Sequence, residues 1–215
     1  MSDTTYSKAK PGTIYSPFCA NESEYIKQKF LFTALCVAGK NAKVQQQKVD
    51  AFCYNLARQN AGDSVPIFEL LSAIPQERRA EAVDRELRAV KLGQYSRLVA
   101  AITQLCNWYL NDNNCFNVVD REALVLVPGI GMKTASFYLL NTRAHCVCAV
   151  LDTHILRWLR NYRNYRNAPT VTPGDVYLYK LWESVYFGEM FKEGYTTADV
   201  AMFDLQLWKA GAGVE

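Results

Sequence analysis

Apolar residues recur three and four positions apart along most of this chain, the spacing that lays a stripe down one face of an α-helix. Ile26, Phe30, Ala34 and Val37 begin the series. The same rhythm predicts further helices near 43 to 60, 65 to 73, 78 to 90, 94 to 111, 120 to 127, 133 to 142, 153 to 162, 173 to 187 and 197 to 209. Few stretches alternate with the two-residue period of a strand, so the predicted class is all-α. Residues 1–20 carry Lys10-Pro11-Gly12 and Ser16-Pro17 and read as an extended N-terminal arm ahead of a helical domain over 21–215. The run Arg160-Asn161-Tyr162-Arg163-Asn164-Tyr165-Arg166-Asn167 reads as a short polar connector. No internal repeat or low-complexity block interrupts the pattern.

Composition sharpens this in three respects. A chain of 215 residues with half of them hydrophobic can bury a substantial core, so disorder is expected only at the ends. The formal charge of +3 permits a nucleic-acid partner without demanding one. Without an apolar run of membrane-spanning length or a signal-peptide pattern, the expectation is a soluble intracellular protein that makes no membrane contact. In that compartment the seven cysteines, Cys19, Cys36, Cys53, Cys106, Cys115, Cys146 and Cys148, are expected as thiols. Cys146-Val147-Cys148 has too little spacing for a zinc site and reads as a half-buried strand or core segment.

The densest chemistry lies between 126 and 157. Pro128-Gly129-Ile130-Gly131 can turn tightly between two helices, because glycine accepts the positive φ that such a turn requires. The amides opening the next helix are then exposed and suit one DNA phosphate, favoured by unsatisfied N–H groups and by the helix dipole. Lys133 falls at that helix start, where the dipole disfavours a cation, and with partial burial its amine would be held neutral more readily. Asp152 precedes Thr153-His154-Ile155-Leu156 and is placed to cap a new helix, 19 positions after the lysine. His154 reads as a structural residue.

Leu126-Val127-Pro128-Gly129-Ile130-Gly131-x-Lys133-x-Ala135, followed by Asp152-Thr153-His154-Ile155-Leu156-Arg157, resembles the signature of the helix-hairpin-helix DNA glycosylase superfamily, which includes endonuclease III and the 8-oxoguanine glycosylases. Lys91-Leu92-Gly93-Gln94-Tyr95 looks like that family's glycine-aromatic turn, and Asp204-Leu205-Gln206-Leu207-Trp208 resembles the C-terminal segment of compact archaeal 8-oxoguanine glycosylases. The resemblance implies two helical lobes with a cleft between them, a hairpin at about 121–142, and chain ends joined in one lobe. It implies a monomer that flips a nucleotide out of duplex DNA. Its lysine, here Lys133, would be a Schiff-base nucleophile, and Asp152 would stabilise the cationic sugar. Pro128, Gly129, Ile130, Gly131, Met132 and Thr134 would contact DNA, with a monovalent cation allowed at the hairpin. Lys40, Asn41, Asp204 and Trp208 would lie at the base pocket, with capping of the last helix the alternative for Asp204 and a core position the alternative for Trp208; Phe203 reads as core. No cysteine follows Cys148, so the four-cysteine iron–sulfur loop of some relatives is not expected, and no metal or cofactor is called for.

One departure matters. Val37-Ala38-Gly39-Lys40-Asn41-Ala42 stands where endonuclease III relatives carry a gap-filling glutamine, so a lysine replaces the amide. Three functions follow in order of expectation. The first is a bifunctional DNA N-glycosylase and AP lyase. The second is a phage-type thymine-hypermodification enzyme that retains the base, with Lys40 holding a pyrophosphate. The third is a non-catalytic DNA-binding module, whose binding would depend steeply on salt.

Overall fold

The computed structural model describes residues 23–37, 42–60, 65–143 and 146–212. Its helices are α1 Glu24–Val37, α2 Ala42–Asn60, α3 Ile67–Ser72, α4 Gln76–Ala89, α5 Tyr95–Asn111, α6 Cys115–Val118, α7 Arg121–Leu124, α8 Met132–Thr142, α9 Thr153–Tyr162, α10 Val176–Lys192 and α11 Val200–Ala212, with a short 3-10 turn over Thr197–Asp199. There is no strand among the described residues, as the periodicity predicts. No helix among them is long and apolar enough to cross a membrane. The expected N-terminal arm lies outside the described residues. The chain divides into two compact units, Asn21–Ile130 and one containing Gly131–Glu215.

In the first unit the predicted apolar stripes meet. Phe32 of α1 stacks on Phe52 of α2 with ring centroids 4.9 Å apart, and Phe68 of α3 stacks on Phe116 of α6 at 4.8 Å. All four are fully buried, and each contributes about 1.5–3 kcal/mol by leaving water. Helix α3 is short and lacks a side-chain cap at its own Pro66. Its ends are closed from elsewhere. Buried Gln28 of α1 accepts from the Phe68 N–H at 3.0 Å, and buried Arg79 of α4 donates to the carbonyls of Leu71, Ser72 and Ile74. The glycine-aromatic turn before α5 is left-handed, with φ of 56° at Lys91, 73° at Gly93 and 52° at Gln94.

In the second unit α8, α9, α10 and α11 carry the core. Phe203 of α11 meets Trp158 of α9 edge-on at 5.5 Å and Tyr186 of α10 at 5.8 Å, the core role expected of it. The expected polar connector at 160–167 is anchored. Arg163 lies over the Trp158 ring at 4.9 Å and pairs with Glu193, while Tyr165 donates to Glu189 at 2.8 Å.

The segment Cys146–Leu151 is neither helix nor strand, and its last four residues are buried. Of Cys146-Val147-Cys148, expected as a half-buried strand or core segment, only Cys148 is buried and no strand forms; Val147 is 49% exposed. Buried backbone groups need partners, and side chains supply them. Ala149 N–H donates to Glu183 at 2.8 Å, Val150 N–H to Asp204 at 2.8 Å, and Leu151 N–H to the Tyr179 hydroxyl at 3.0 Å. Tyr179 donates in turn to the Ala149 carbonyl at 2.8 Å, and Thr172 to the Leu151 carbonyl at 2.8 Å.

Candidate active site

Pro128 and Gly129 form the tip of a turn in which Ile130 N–H donates to the Val127 carbonyl at 3.0 Å. Gly129 has φ +82°, the value of the third position in a type II turn, with proline in its preferred place before it. A side chain there would collide with Arg97, since an added Cβ would lie 2.6 Å from Arg97 Cγ. Arg97 braces the turn: its guanidinium donates to the Gly129 carbonyl at 2.9 Å and to the Leu35 carbonyl at the end of α1 at 2.7 Å. Burial holds the Arg97 guanidinium below the usual arginine range. Two hairpin carbonyls, of Val127 and Gly129, are thus engaged and a fixed positive charge already lies at the turn. The Arg97 charge at the turn disfavours the monovalent cation that the resemblance allows.

Gly131 is the N-cap of α8, with extended backbone at φ −91° and ψ 173° and no side-chain cap. The first amides of α8 therefore lack a cap from the chain itself, which is what an anion site needs. Pro128, Gly129, Gly131 and Lys133 are exposed and Thr134 is half-buried. Ile130 and Met132 point the other way, with side chains 3% and 5% exposed, so only their backbones can meet a ligand.

Lys133, the second residue of α8, is exposed. This corrects the expectation of partial burial: the chain leaves the amine in solvent, and any desolvation has to come from a bound substrate.

Asp152 is the N-cap of α9 and is buried. Its Oδ1 accepts from His154 N–H at 2.8 Å and from Ile155 N–H at 3.0 Å. Both cap bonds use one oxygen, so Oδ2 is left for a second task. Lys133 and Asp152 belong to the same unit, and Cys148 Sγ donates to the Ser136 carbonyl at 3.4 Å, tying the Asp152 segment to the helix that carries Lys133.

The base-pocket candidates separate. Trp208 is 44% exposed on α11, leaving an aromatic face for contact. Asp204 is buried one turn inside α11, so it caps nothing; its oxygens accept from Val150 N–H and from the Tyr186 hydroxyl. Burial above all, with the charges of Asp152 and Glu183, pushes the Asp204 carboxyl up to about 7, against the lowering effect of those two hydrogen bonds. Both of its oxygens are thus turned to groups within the protein. Lys40 and Asn41 lie outside the described residues. His154 has a buried Nδ1 without a hydrogen-bond partner and packs against Gly211, where an added Cβ would lie 2.3 Å from that nitrogen.

Sequence reasoning missed Tyr179, Glu183 and Tyr186. The available signal was their spacing of four and three along α10, which sets polar groups on the helix face that should be buried.

The fold has known counterparts. The structure matches the 8-oxoguanine DNA glycosylase of Methanocaldococcus jannaschii with a TM-score of 0.60 and 19% identity over 90% of this chain and 81% of that one. It matches the 8-oxoguanine DNA glycosylase of Thermotoga maritima with a TM-score of 0.58 and 21% identity over 88% and 82%. It also matches endonuclease III in a non-covalent DNA complex, with a TM-score of 0.57 and 16% identity over 87% and 76%. At these identities the structural likeness establishes the all-α glycosylase fold. A family profile described as 8-oxoguanine DNA glycosylase matches residues 39–184, more than half of the sequence, and the chain therefore belongs to that family.

Proposed function

We propose that this chain is a DNA N-glycosylase with an associated lyase step, in which Lys133 is the nucleophile and Asp152 the electrostatic partner. The observation that carries it is their joint placement: an exposed amine in the first turn of an uncapped helix, and in the same unit a carboxylate that caps the next helix through one oxygen only. The first amides of α8 grip a backbone phosphate next to the target nucleotide. The nucleotide is flipped out, which costs a few kcal/mol of stacking and pairing, and Trp208 offers a stacking face for the extruded base.

The Lys133 amine, once its ammonium has passed a proton to solvent, attacks the sugar C1′. The C1′–N bond breaks, its electron pair leaves with the base, and a proton completes the departing base. Breaking of the C1′–N bond runs ahead of bonding to the amine, so positive charge builds on the sugar, and the Asp152 carboxylate offsets it there. Loss of the lysine proton and opening of the sugar ring give a Schiff base, from which elimination of the 3′ phosphate cleaves the strand. Binding as a monomer, with DNA as the partner, completes the proposal.

The test is to mix pure protein with duplexes carrying 8-oxoguanine, uracil, 5-hydroxymethyluracil or an abasic site, and to reduce with borohydride. A covalent protein–DNA band that disappears with Lys133→Ala is the expected result and names the substrate. No band on any of them would overturn the lyase proposal and leave the base-retaining alternative, whose Lys40 lies outside the described residues.

A further inference from the structure

We infer that Asp204 is a positioning residue for Asp152: through the Val150 amide it fixes the backbone that presents Asp152 at the head of α9. This rests on the role proposed above for Asp152. The segment leading into α9 has no sheet partner to set its register, and its successive amides at 149, 150 and 151 donate to Glu183, Asp204 and Tyr179 in turn. Asp204 supplies the middle bond, two residues before Asp152. The Asp204 side chain is itself fixed at Oδ1 by the Tyr186 hydroxyl, and Tyr186 is fully buried.

The choice of an acid here is costly. Asp152, Glu183 and Asp204 are all at least nine-tenths buried and repel one another. An apolar or amide residue at 204 would relieve that repulsion, whereas a carboxylate gives two acceptor oxygens and charge-assisted bonds to both donors. The groups facing Asp204 are Tyr179, Glu183 and Tyr186 of α10, Asp152 at the head of α9, and the Val150 amide. Burial and the Asp204 charge hold the Tyr186 hydroxyl well above the usual phenol range, so it remains a donor. The titrating member is Asp204, near 7. Above that pH its anion grips Val150; below it the neutral carboxyl accepts more weakly and the segment loosens. A displacement of Asp152 by about 1 Å is enough to slow chemistry by roughly 10²-fold.

The experiment measures single-turnover rate, DNA affinity and amide hydrogen exchange of the 146–152 peptide for wild type, Asp204→Asn and Tyr186→Phe, across the pH range bracketing about 7. The expected result has four parts. Wild-type rate falls as pH drops through that value; Asp204→Asn slows the chemical step by roughly 10- to 100-fold with unchanged affinity; the same variant loses the inflection; and its Val150 amide exchanges faster. Tyr186→Phe moves the inflection to higher pH, because the hydrogen bond that lowers the Asp204 pKa is gone. A persisting inflection in Asp204→Asn, an unmoved one in Tyr186→Phe, or equal loss of affinity and rate overturns the inference. If wild type is inactive on every duplex, the proposed function fails on its own. The exchange data still decide the clamp: pH-dependent protection of 149–151 that disappears in Asp204→Asn supports it, and indifference to the substitution overturns it.

Discussion

Replacing Gly129 with alanine puts a methyl group into a place the structure does not leave for one. Two costs combine. The first is conformational: φ of +82° costs a residue with a Cβ roughly 1–2 kcal/mol. The second is steric, since the added carbon would stand 2.6 Å from Arg97 Cγ and 2.7 Å from Cδ. Arg97 is a flexible chain and can move aside, but moving gives up its bonds to the Gly129 and Leu35 carbonyls, each worth about 1 kcal/mol net. The expected loss is therefore about 2–4 kcal/mol in a chemical denaturation experiment, with DNA affinity falling alongside as the turn loses its shape. Gly131→Ala is the control, because its φ is −91° and nothing lies within 4 Å of its Cβ position. Arg97→Ala completes a double-mutant cycle, in which the two losses should be less than additive because they remove the same bonds. Equal costs at 129 and 131, or a Gly129→Ala cost under about 1 kcal/mol, would refute the assignment of a braced left-handed turn.

Three further outcomes are expected. Gly211→Ala brings a methyl to 2.3 Å from His154 Nδ1 and 2.8 Å from its Cβ, so α11 must shift away from α9; overpacking of about 1–3 kcal/mol should outweigh the roughly 1 kcal/mol of helix propensity gained, and an unchanged melting temperature would count against that contact. Asp152→Asn keeps an N-cap acceptor but loses the charge, so stability should hold within about 0.5 kcal/mol while single-turnover rate falls by about 10²–10³; a rate loss matched by Asp152→Asn instability would leave capping as its whole role. Asp204 has its folded pKa raised from 3.8 to about 7, so its contribution to stability is fully present below 3.8 and is lost as pH rises to about 7. The stability of Asp204→Asn relative to wild type should therefore improve by up to roughly 4 kcal/mol across that window, and a pH-independent difference would mean that the acid is not held in this way.

Much of the fold was legible because its helices bury stripes wide enough to dominate the sequence. Helix α9 was placed at its observed limits, since Asp152-Thr153 signals a cap and Ile155, Leu156 and Leu159 mark the buried face. Two departures have physical causes. Helix α6 is a single turn with only Phe116 buried, too short to show a period. Helix α10 starts three residues later than expected, where Asp175 accepts from Leu178 N–H at 2.8 Å, and runs past Gly188 to Lys192, because Glu189 and Met190 beyond the glycine are buried. Burial there outweighs the propensity cost of one glycine, about 1 kcal/mol. Within the site, residue types and spacing pointed to Lys133, Asp152 and the Pro-Gly turn. They carried no information on direction: Lys133 faces solvent and Asp204 faces the backbone of 150, and both orientations depend on how α8 and α11 pack.

The closure of α3 from outside also has a consequence for how the first unit assembles. A helix of six residues falls well below the length at which isolated helices persist in water. Arg79 on α4 supplies side-chain donors to the Leu71, Ser72 and Ile74 carbonyls at its end, and its Phe68 amide waits for Gln28 of α1. Helix α3 is thus a late and dependent element, formed in the same event that docks α1 and α4 onto it. Once in place it opens only when they let go, so its amides should exchange with solvent at the slow rate of the whole unit and not at the fast rate its length implies.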